Sequence, residues 1–191
     1  MKAHWDVLAA ADFTTVEVWT RSGLITFYLF FVMQLKTRRV ELAGVTTNPD
    51  GLWMRQMARN LTDAQDGFLQ GTRYLLLDRD GKYSREFREI IETSGTTIIK
   101  LPPRSPNLNA YAERFMRSVK EECLDRMIFF GESSLRRAVS QFLAHYHAER
   151  NHQGLENKLI DPGAEVGTET GTIQCRERLG GMLRYYYRDA A

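Results

Sequence analysis

This 191-residue sequence predicts a mixed α/β fold, a five-stranded sheet flanked by helices. Three observations predict it. Three β-branched and aromatic runs follow one another near the N-terminal end, separated by short turns. The hydrophobic period then changes from two to about 3.6. From there, short continuous apolar runs alternate with helical stripes, the pattern of parallel strands buried on both faces.

Val7 to Thr20 (VLAAADFTTVEVWT) reads as the first strand and ends at the Ser22-Gly23 turn. Leu24 to Leu35 (LITFYLFFVMQL) reads as the second, and the polar Lys36 to Arg38 as a tight reversal into a third, Val40 to Thr46. Strands joined in this way form an antiparallel meander. Asn48-Pro49-Asp50 predicts a helix start, with Asn48 as cap and Pro49 in the first turn. Trp53, Met57, Asn60/Leu61 and Ala64 follow at helical spacing. Tyr74 to Leu77, closed by Asp78, predicts a fourth strand in parallel pairing. Ser84 caps a second helix with the stripe Phe87, Ile90 and Ile91, which Gly95 stops. Thr96 to Leu101 is a fifth strand, and Pro102 to Asn109 is a loop dense in Pro, Asn and Ser. Two longer helices follow, over about Ala110 to Met127 and Ser133 to Arg150. Thr172 to Tyr187 has two strand-like runs around Gly180-Gly181 and reads as a hairpin. Residues 1–165 form one domain on this reading, with 166–191 a C-terminal hairpin and tail. No internal repeat or low-complexity segment interrupts the pattern.

Composition narrows the function classes. A chain of this length buries roughly 70% of its unfolded surface and needs no staples. Apolar content of 43% and aromatic content of 11% describe a soluble globular protein. Cys123 and Cys175 lie far apart, form no metal spacing, and predict reduced thiols in a cytosolic protein. Met1 to Trp5 lacks the basic start and apolar run of a signal peptide. The longest apolar stretch, Leu24 to Leu35, is too short to span a bilayer. The net charge of +2 does not announce nucleic acid, so such a role must come from the placement of charge.

Three carboxylates stand where chemistry would need them. Asp12 lies inside the first strand among Ala9, Ala10, Ala11 and Phe13, where a charge is costly to bury without compensation. Asp78 ends the fourth strand, at the carboxyl edge where α/β sheets gather ligands. Glu113 lies near the start of a helix directly after the Pro-rich loop. If the first and fourth strands are parallel neighbours, Asp12 and Asp78 become adjacent, and the helix brings Glu113 to the same edge. Converging carboxylates repel unless cations join them, and hard oxygen ligands suit Mg²⁺ or Mn²⁺. Two such ions about 3.5–4 Å apart serve in-line phosphoryl displacement. Each acid also has a bland reading: Asp12 as an edge residue, Asp78 in an Asp-Arg-Asp-Gly turn, and Glu113 as a solvated partner of Arg117.

Ala11-Asp12-Phe13-Thr14-Thr15-Val16, Leu77-Asp78-Arg79-Asp80-Gly81-Lys82-Tyr83 and Ser105-Pro106-Asn107-Leu108-Asn109-Ala110-Tyr111-Ala112-Glu113-Arg114 together resemble the three catalytic motifs of the DDE transposase and retroviral-type integrase core. Arg150-Asn151-His152-Gln153-Gly154-Leu155 is similar to that family's "R-x-H-x-x-L" signature. The resemblance covers about residues 5–163 and implies a ribonuclease H-like fold. It implies Asp12, Asp78 and Glu113 as catalytic metal ligands holding two Mg²⁺ or Mn²⁺ ions. The 34 residues between Asp78 and Glu113 are close to the family spacing. Asp80 competes for the second position and would leave 32 residues. The distance to Tyr83 fits Asp78 better, while the Asp-x-Asp-Gly form departs from the commoner Asp-x-Gly.

The resemblance further implies that Arg117, Lys120 and Asn109 contact DNA. Arg117 and Lys120 fall at i+4 and i+7 from Glu113, where cations beside a metal site hold flanking phosphates; the competing reading is a solvated face with Glu121 and Glu122. The activity implied is cleavage at a transposon end followed by strand transfer into target DNA, by a homo-oligomer on DNA. A bacterial mobile element and a cytoplasmic, nucleoid-associated protein go with it, and no membrane. A hydrolysis-only nuclease on the same fold and a non-catalytic DNA-binding remnant are the alternatives. Relatives carry an upstream helix-turn-helix domain that this sequence lacks, which predicts a core fragment, a separate recognition polypeptide or a remnant.

Other residues read as structural. Phe115, Val119, Cys123 and Met127 form a core stripe, and Trp5, Trp19 and Trp53 are expected in the core. His145 and His147 are two apart on a helix and make a poor metal pair. Tyr185-Tyr186-Tyr187 beside Arg176, Arg178 and Arg184 either packs the hairpin or stacks on bases, with packing preferred.

Overall fold

The computed structural model describes residues 2–102, 110–167 and 170–189. The chain forms two compact units, Met1–Arg117 and Ser118–Ala191.

In the first unit β1 (Leu8–Thr20), β2 (Gly23–Gln34) and β3 (Val40–Thr46) form the antiparallel meander. β4 (Tyr74–Leu77) pairs parallel to β1, and β5 (Thr97–Lys100) parallel to β4. The five strands run in the order β3-β2-β1-β4-β5, the mixed sheet expected from the sequence. The change to parallel pairing follows from the connections: α1 (Gly51–Leu61) and α2 (Arg85–Thr93) are crossovers, which parallel neighbours require.

Both helices bury their apolar stripes on one face of the sheet. Met54, Met57, Ala58 and Leu61 of α1 and Phe87 and Ile91 of α2 meet Ala9, Ala11, Phe30, Val32, Leu75 and Leu77. The alanines of β1 are at most 1% exposed, and their small side chains leave space for Phe30 and Phe87. α1 lies close against β3 because residue 44 is glycine. A Cβ there would stand 2.5 Å from Met57 Sδ and 2.6 Å from Trp53 Cζ2. Across the sheet, Phe31 meets Phe115 of α3 (Ala110–Glu122) edge to face at 5.2 Å.

Several local expectations change. The cap of α1 is Asp50, whose carboxylate accepts from Trp53 N at 2.8 Å, so Pro49 precedes the helix. Asn48 instead donates its backbone N–H to Thr46 Oγ1. The helix stops at Leu61, leaving Ala64 outside, because the Thr62 hydroxyl turns back on the Ala58 carbonyl and Asp63 caps the next turn. α3 ends at Glu122 rather than Met127, and Arg126 Nε donates to the Glu121 carbonyl across the break. Trp19 is 49% exposed rather than core: with its cross-strand partner Leu24 it lies at the tip of the β1–β2 ribbon, one residue from its end. Ser84 caps α2 as expected, accepting from Phe87 N at 3.1 Å.

The second unit holds a two-residue strand β6 (Phe129–Phe130), α4 (Gly131–Ala148) and the hairpin β7 (Ile173–Arg178) and β8 (Leu183–Arg188). α4 buries Leu135, Ala138, Val139, Phe142 and Tyr146. Just beyond it, the side chain of Glu149 is fully buried and accepts from Arg178 at 2.6–2.9 Å and from Arg176 at 3.4 Å. His145 Nδ1 lies 3.0 Å from the same carboxylate. Burial pushes the Glu149 acid upward, but the hydrogen bonds from Arg178 and His145 outweigh it and hold it below the ordinary range. The tyrosines alternate: Tyr185 and Tyr187 stack half-buried, and Tyr186 faces out at 62% exposure. Among the described residues no helix is long and apolar enough to cross a membrane.

Candidate active site

The parallel ladder of β1 and β4 joins Leu8 to Tyr74, Ala9 to Leu75 and Ala10 to Leu76. Two residues on stand Asp12, still within β1, and Asp78, the residue that follows the end of β4. Alternation puts Asp12 on the sheet face that Ala10 and Leu76 share, and Asp78 lies at the adjoining strand end. The cross-strand partner of Asp12 on β2 is Phe31, the residue against which α3 packs. Sheet register and helix packing therefore bring the segments bearing Asp12, Asp78 and Glu113 to one edge.

The charge of Asp12 registers this arrangement. Its acid is pushed up from 3.8 to about 6. Burial is the largest cause. The Phe13 N–H, at 2.8 Å from Oδ1, works against it, and the negative charges of Asp78, Glu113 and Asp80 add to it. Asp78 is exposed, and its Oδ1 accepts from Asp80 N at 3.0 Å. Asp80 is differently occupied. It forms an ion pair with Lys82 Nζ and accepts from Lys82 N at 2.9 Å, and although burial pushes its acid up, these contacts bring it below its ordinary value. Asp80 thus already has a cation, and among the described residues none pairs with Asp12.

Tyr83, 3% exposed, donates its hydroxyl to the Ala11 carbonyl at 3.2 Å and so ties the loop after Asp78 to the strand of Asp12. Burial, followed by the charges of Asp12, Asp78 and Asp80, raises its phenol well above 10. It remains a neutral donor at any physiological pH.

Beside Asp78 opens a cleft of about 560 Å³ lined in part by Arg79, Arg85, Arg88 and Lys100. Arg85 pairs with Glu89 at 2.6 Å, and Arg79 Nε donates to the Leu101 carbonyl. Among the described residues Arg88 and Lys100 carry no ion pair. These four cations were not singled out from the sequence. They come from a loop, a helix and a strand, and no sequence period links them.

Glu113 lies in the first turn of α3 and is exposed, as are Arg117 and Lys120. Among the described residues no ion pair joins Glu113 to Arg117. Asn109 lies outside the described residues. The Arg-x-His segment is bound into the second unit: Arg150 holds Glu122 through both carboxylate oxygens at 2.6–2.7 Å, and His152 Nε2 lies 2.7 Å from the Tyr146 carbonyl. Cys123 is buried, and its thiol is pushed up to about 12.

Whether a divalent ion suits this edge is a question of donor chemistry. Among the described residues no three His, Cys, Asp or Glu side chains converge tightly enough to form a metal cluster. The donors are nevertheless hard carboxylate oxygens. Asp12 bears the repulsion of three further carboxylates, and among the described residues one backbone N–H, that of Phe13, relieves it. A countercharge placed among them would relieve that repulsion, and carboxylate oxygens are the donors that a hard divalent cation takes.

The fold is that of integrase and transposase catalytic cores. In sequence, residues 94–159 match the integrase core domain. That span contains Glu113 and the Arg150–Leu155 segment but neither Asp12 nor Asp78. In fold, the chain is similar to the HTLV-2 integrase catalytic core domain, solved with magnesium in a dimeric form (TM-score 0.60, 10% identity, 81% of this chain and 93% of that one). It is similar to the catalytic core domain of BIV integrase (TM-score 0.55, 16% identity, 78% and 88%). It is also similar to the catalytic domain of Mos1 mariner transposase (TM-score 0.58, 15% identity, 75% and 72%). At such identities the structural likeness is one of fold. No curated protein matches the sequence. The resemblance to a DDE transposase or integrase core is therefore met in the fold and, over 94–159, in the sequence.

Proposed function

We propose that this chain is a metal-dependent DNA phosphoryl transferase, cutting at a transposon end and joining the new 3′-hydroxyl to target DNA. Asp12, Asp78 and Glu113 are its metal ligands. The observation that supports this reading is geometric: the parallel pairing of β1 with β4 brings Asp12 and Asp78 to one sheet edge, within charge range of Glu113.

When bound, two Mg²⁺ or Mn²⁺ ions would activate the attacking oxygen and stabilise the leaving one. The chain's own residues supply position and charge. Asp12, Asp78 and Glu113 hold the ions. Lys82 keeps Asp80 out of the ligand set, which favours Asp78 for the second position. Tyr83 fixes the loop of Asp78 against β1. Arg79, Arg85, Arg88 and Lys100 line a cleft suited to phosphates that flank the reacting one. Arg117, Lys120 and Asn109 extend the contact to DNA along and before α3. Residues 1–165 work as the catalytic core, with 166–191 appended. The protein acts as a homo-oligomer on DNA, in the cytoplasm of a bacterium and associated with its nucleoid, because joining two ends needs more than one site.

The test is cleavage and joining of labelled double-stranded DNA in Mn²⁺, wild type beside Asp78→Asn. Joined products lost in the variant are expected. Joining that survives the substitution refutes the assignment, and cut products alone mean hydrolysis without transfer.

A further inference from the structure

Arg38 occupies the β2–β3 reversal with φ 63, in the left-handed region that favours glycine. Its side chain is 7% exposed, so a permanently charged guanidinium is withdrawn from water. A strained backbone and a buried charge at one turn residue call for an offsetting contact. The guanidinium carbon lies 3.4 Å from the ring centroid of Tyr111 and 5.3 Å from that of Trp5. The two rings meet edge to face at 5.2 Å. A cation desolvated between aromatic faces is strongly held there.

Tyr111 is the second residue of α3, and Glu113 lies in the same first turn. The first N–H groups of a helix have no partner within it, and helix ends open first. One turn on, Phe115 packs on Phe31. Tyr111 and Phe115, four apart, pin one side of the helix, and Glu113 lies on the other. We infer that Arg38 is a positioning residue for Glu113. By clamping Tyr111 it fixes the first turn of α3, which keeps Glu113 within electrostatic reach of Asp12. The inference rests on the proposed role of Glu113 as a metal ligand.

A double-mutant cycle on Mn²⁺ binding, read by titration calorimetry on the full chain, tests it. Arg38→Met keeps the aliphatic stem and removes the planar cation. It is expected to weaken Mn²⁺ binding about tenfold in the wild-type background and to have no further effect beside Glu113→Gln. Tyr111→Leu should match Arg38→Met, whereas Tyr111→Phe, which keeps the ring face, should bind as wild type. Should Arg38→Met not fold, the Tyr111 pair carries the same cycle. An equal loss from Arg38→Met in both backgrounds overturns the inference and leaves Glu113 as a ligand. Unchanged binding in Glu113→Gln alone overturns both.

Discussion

Asp12→Asn should make the metal-free protein more stable. The carboxyl of Asp12 titrates near 6 in the folded chain against 3.8 ordinarily. The folded form therefore holds this proton more tightly than the unfolded one. Stability from the group is fully present below pH 3.8 and is lost as pH rises through 6. At about 1.36 kcal/mol per pH unit, the gap makes a penalty of at most about 3 kcal/mol at neutral pH. Partial solvent access lowers it, so about 1–3 kcal/mol is expected. Asn has nearly the same shape, can still accept from Phe13 N–H, and carries no charge. At about 2–4 °C per kcal/mol for a chain of this size, the gain in Tm is about 2–12 °C. Calorimetric melts in EDTA from pH 4 to 8 measure it. The difference between variant and wild type should be full above pH 6 and shrink toward pH 4. In Mn²⁺ the difference should shrink or reverse, because the ion stabilises only a chain that binds it, by about 2.7 kcal/mol at a hundred times Kd. A variant less stable than wild type in EDTA, or a difference independent of pH, would refute the reasoning.

Glu149→Gln should destabilise the second unit by about 1–3 kcal/mol, since the buried Gln cannot replace the charged acceptor that the partly exposed Arg178 and Arg176 share; hydrogen exchange in β7 and β8 reports it. The Glu149 acid is held below its ordinary range, so the stability it contributes is present above pH 4.5 and is lost as pH falls through the lowered value; an acid melt of wild type beside the variant shows this. Arg88→Glu and Lys100→Glu should each weaken DNA binding and reduce the salt slope by about one, as fluorescence anisotropy at several salt concentrations would show. Gly44→Val should cost about 1–3 kcal/mol in urea unfolding, because its side chain would enter the space of Met57 and Trp53.

The elements legible in the sequence share a property: their signal is local. β3 and β4 lie where the apolar runs put them, because a strand's period is written in five or six consecutive residues. Ser84 was readable as a cap because a helix stripe begins directly after it. Where two residues could serve equally, local pattern failed. Asn48 and Asp50 can both cap, and the choice fell to the carboxylate that reaches Trp53 N. Trp19 is apolar and aromatic, yet its burial depended on whether a second layer covered that end of the ribbon.

The same division runs through the site. Residue order alone determined the strand and helix succession and marked Asp12, Asp78 and Glu113 as candidate acids, because a charge within or at the end of an apolar strand stands out from its neighbours. Tertiary structure decided the rest. Sheet register brought Asp12 and Asp78 to one edge, while the ion pair of Asp80 with Lys82 is a local contact two residues apart. The clamp of Arg38 on Tyr111 joins positions far apart in the chain, and the cleft of Arg79, Arg85, Arg88 and Lys100 gathers cations from three different elements. Periodicity records which face a residue turns to the core. It carries no record of which distant residue it meets there, because that depends on how separate elements pack.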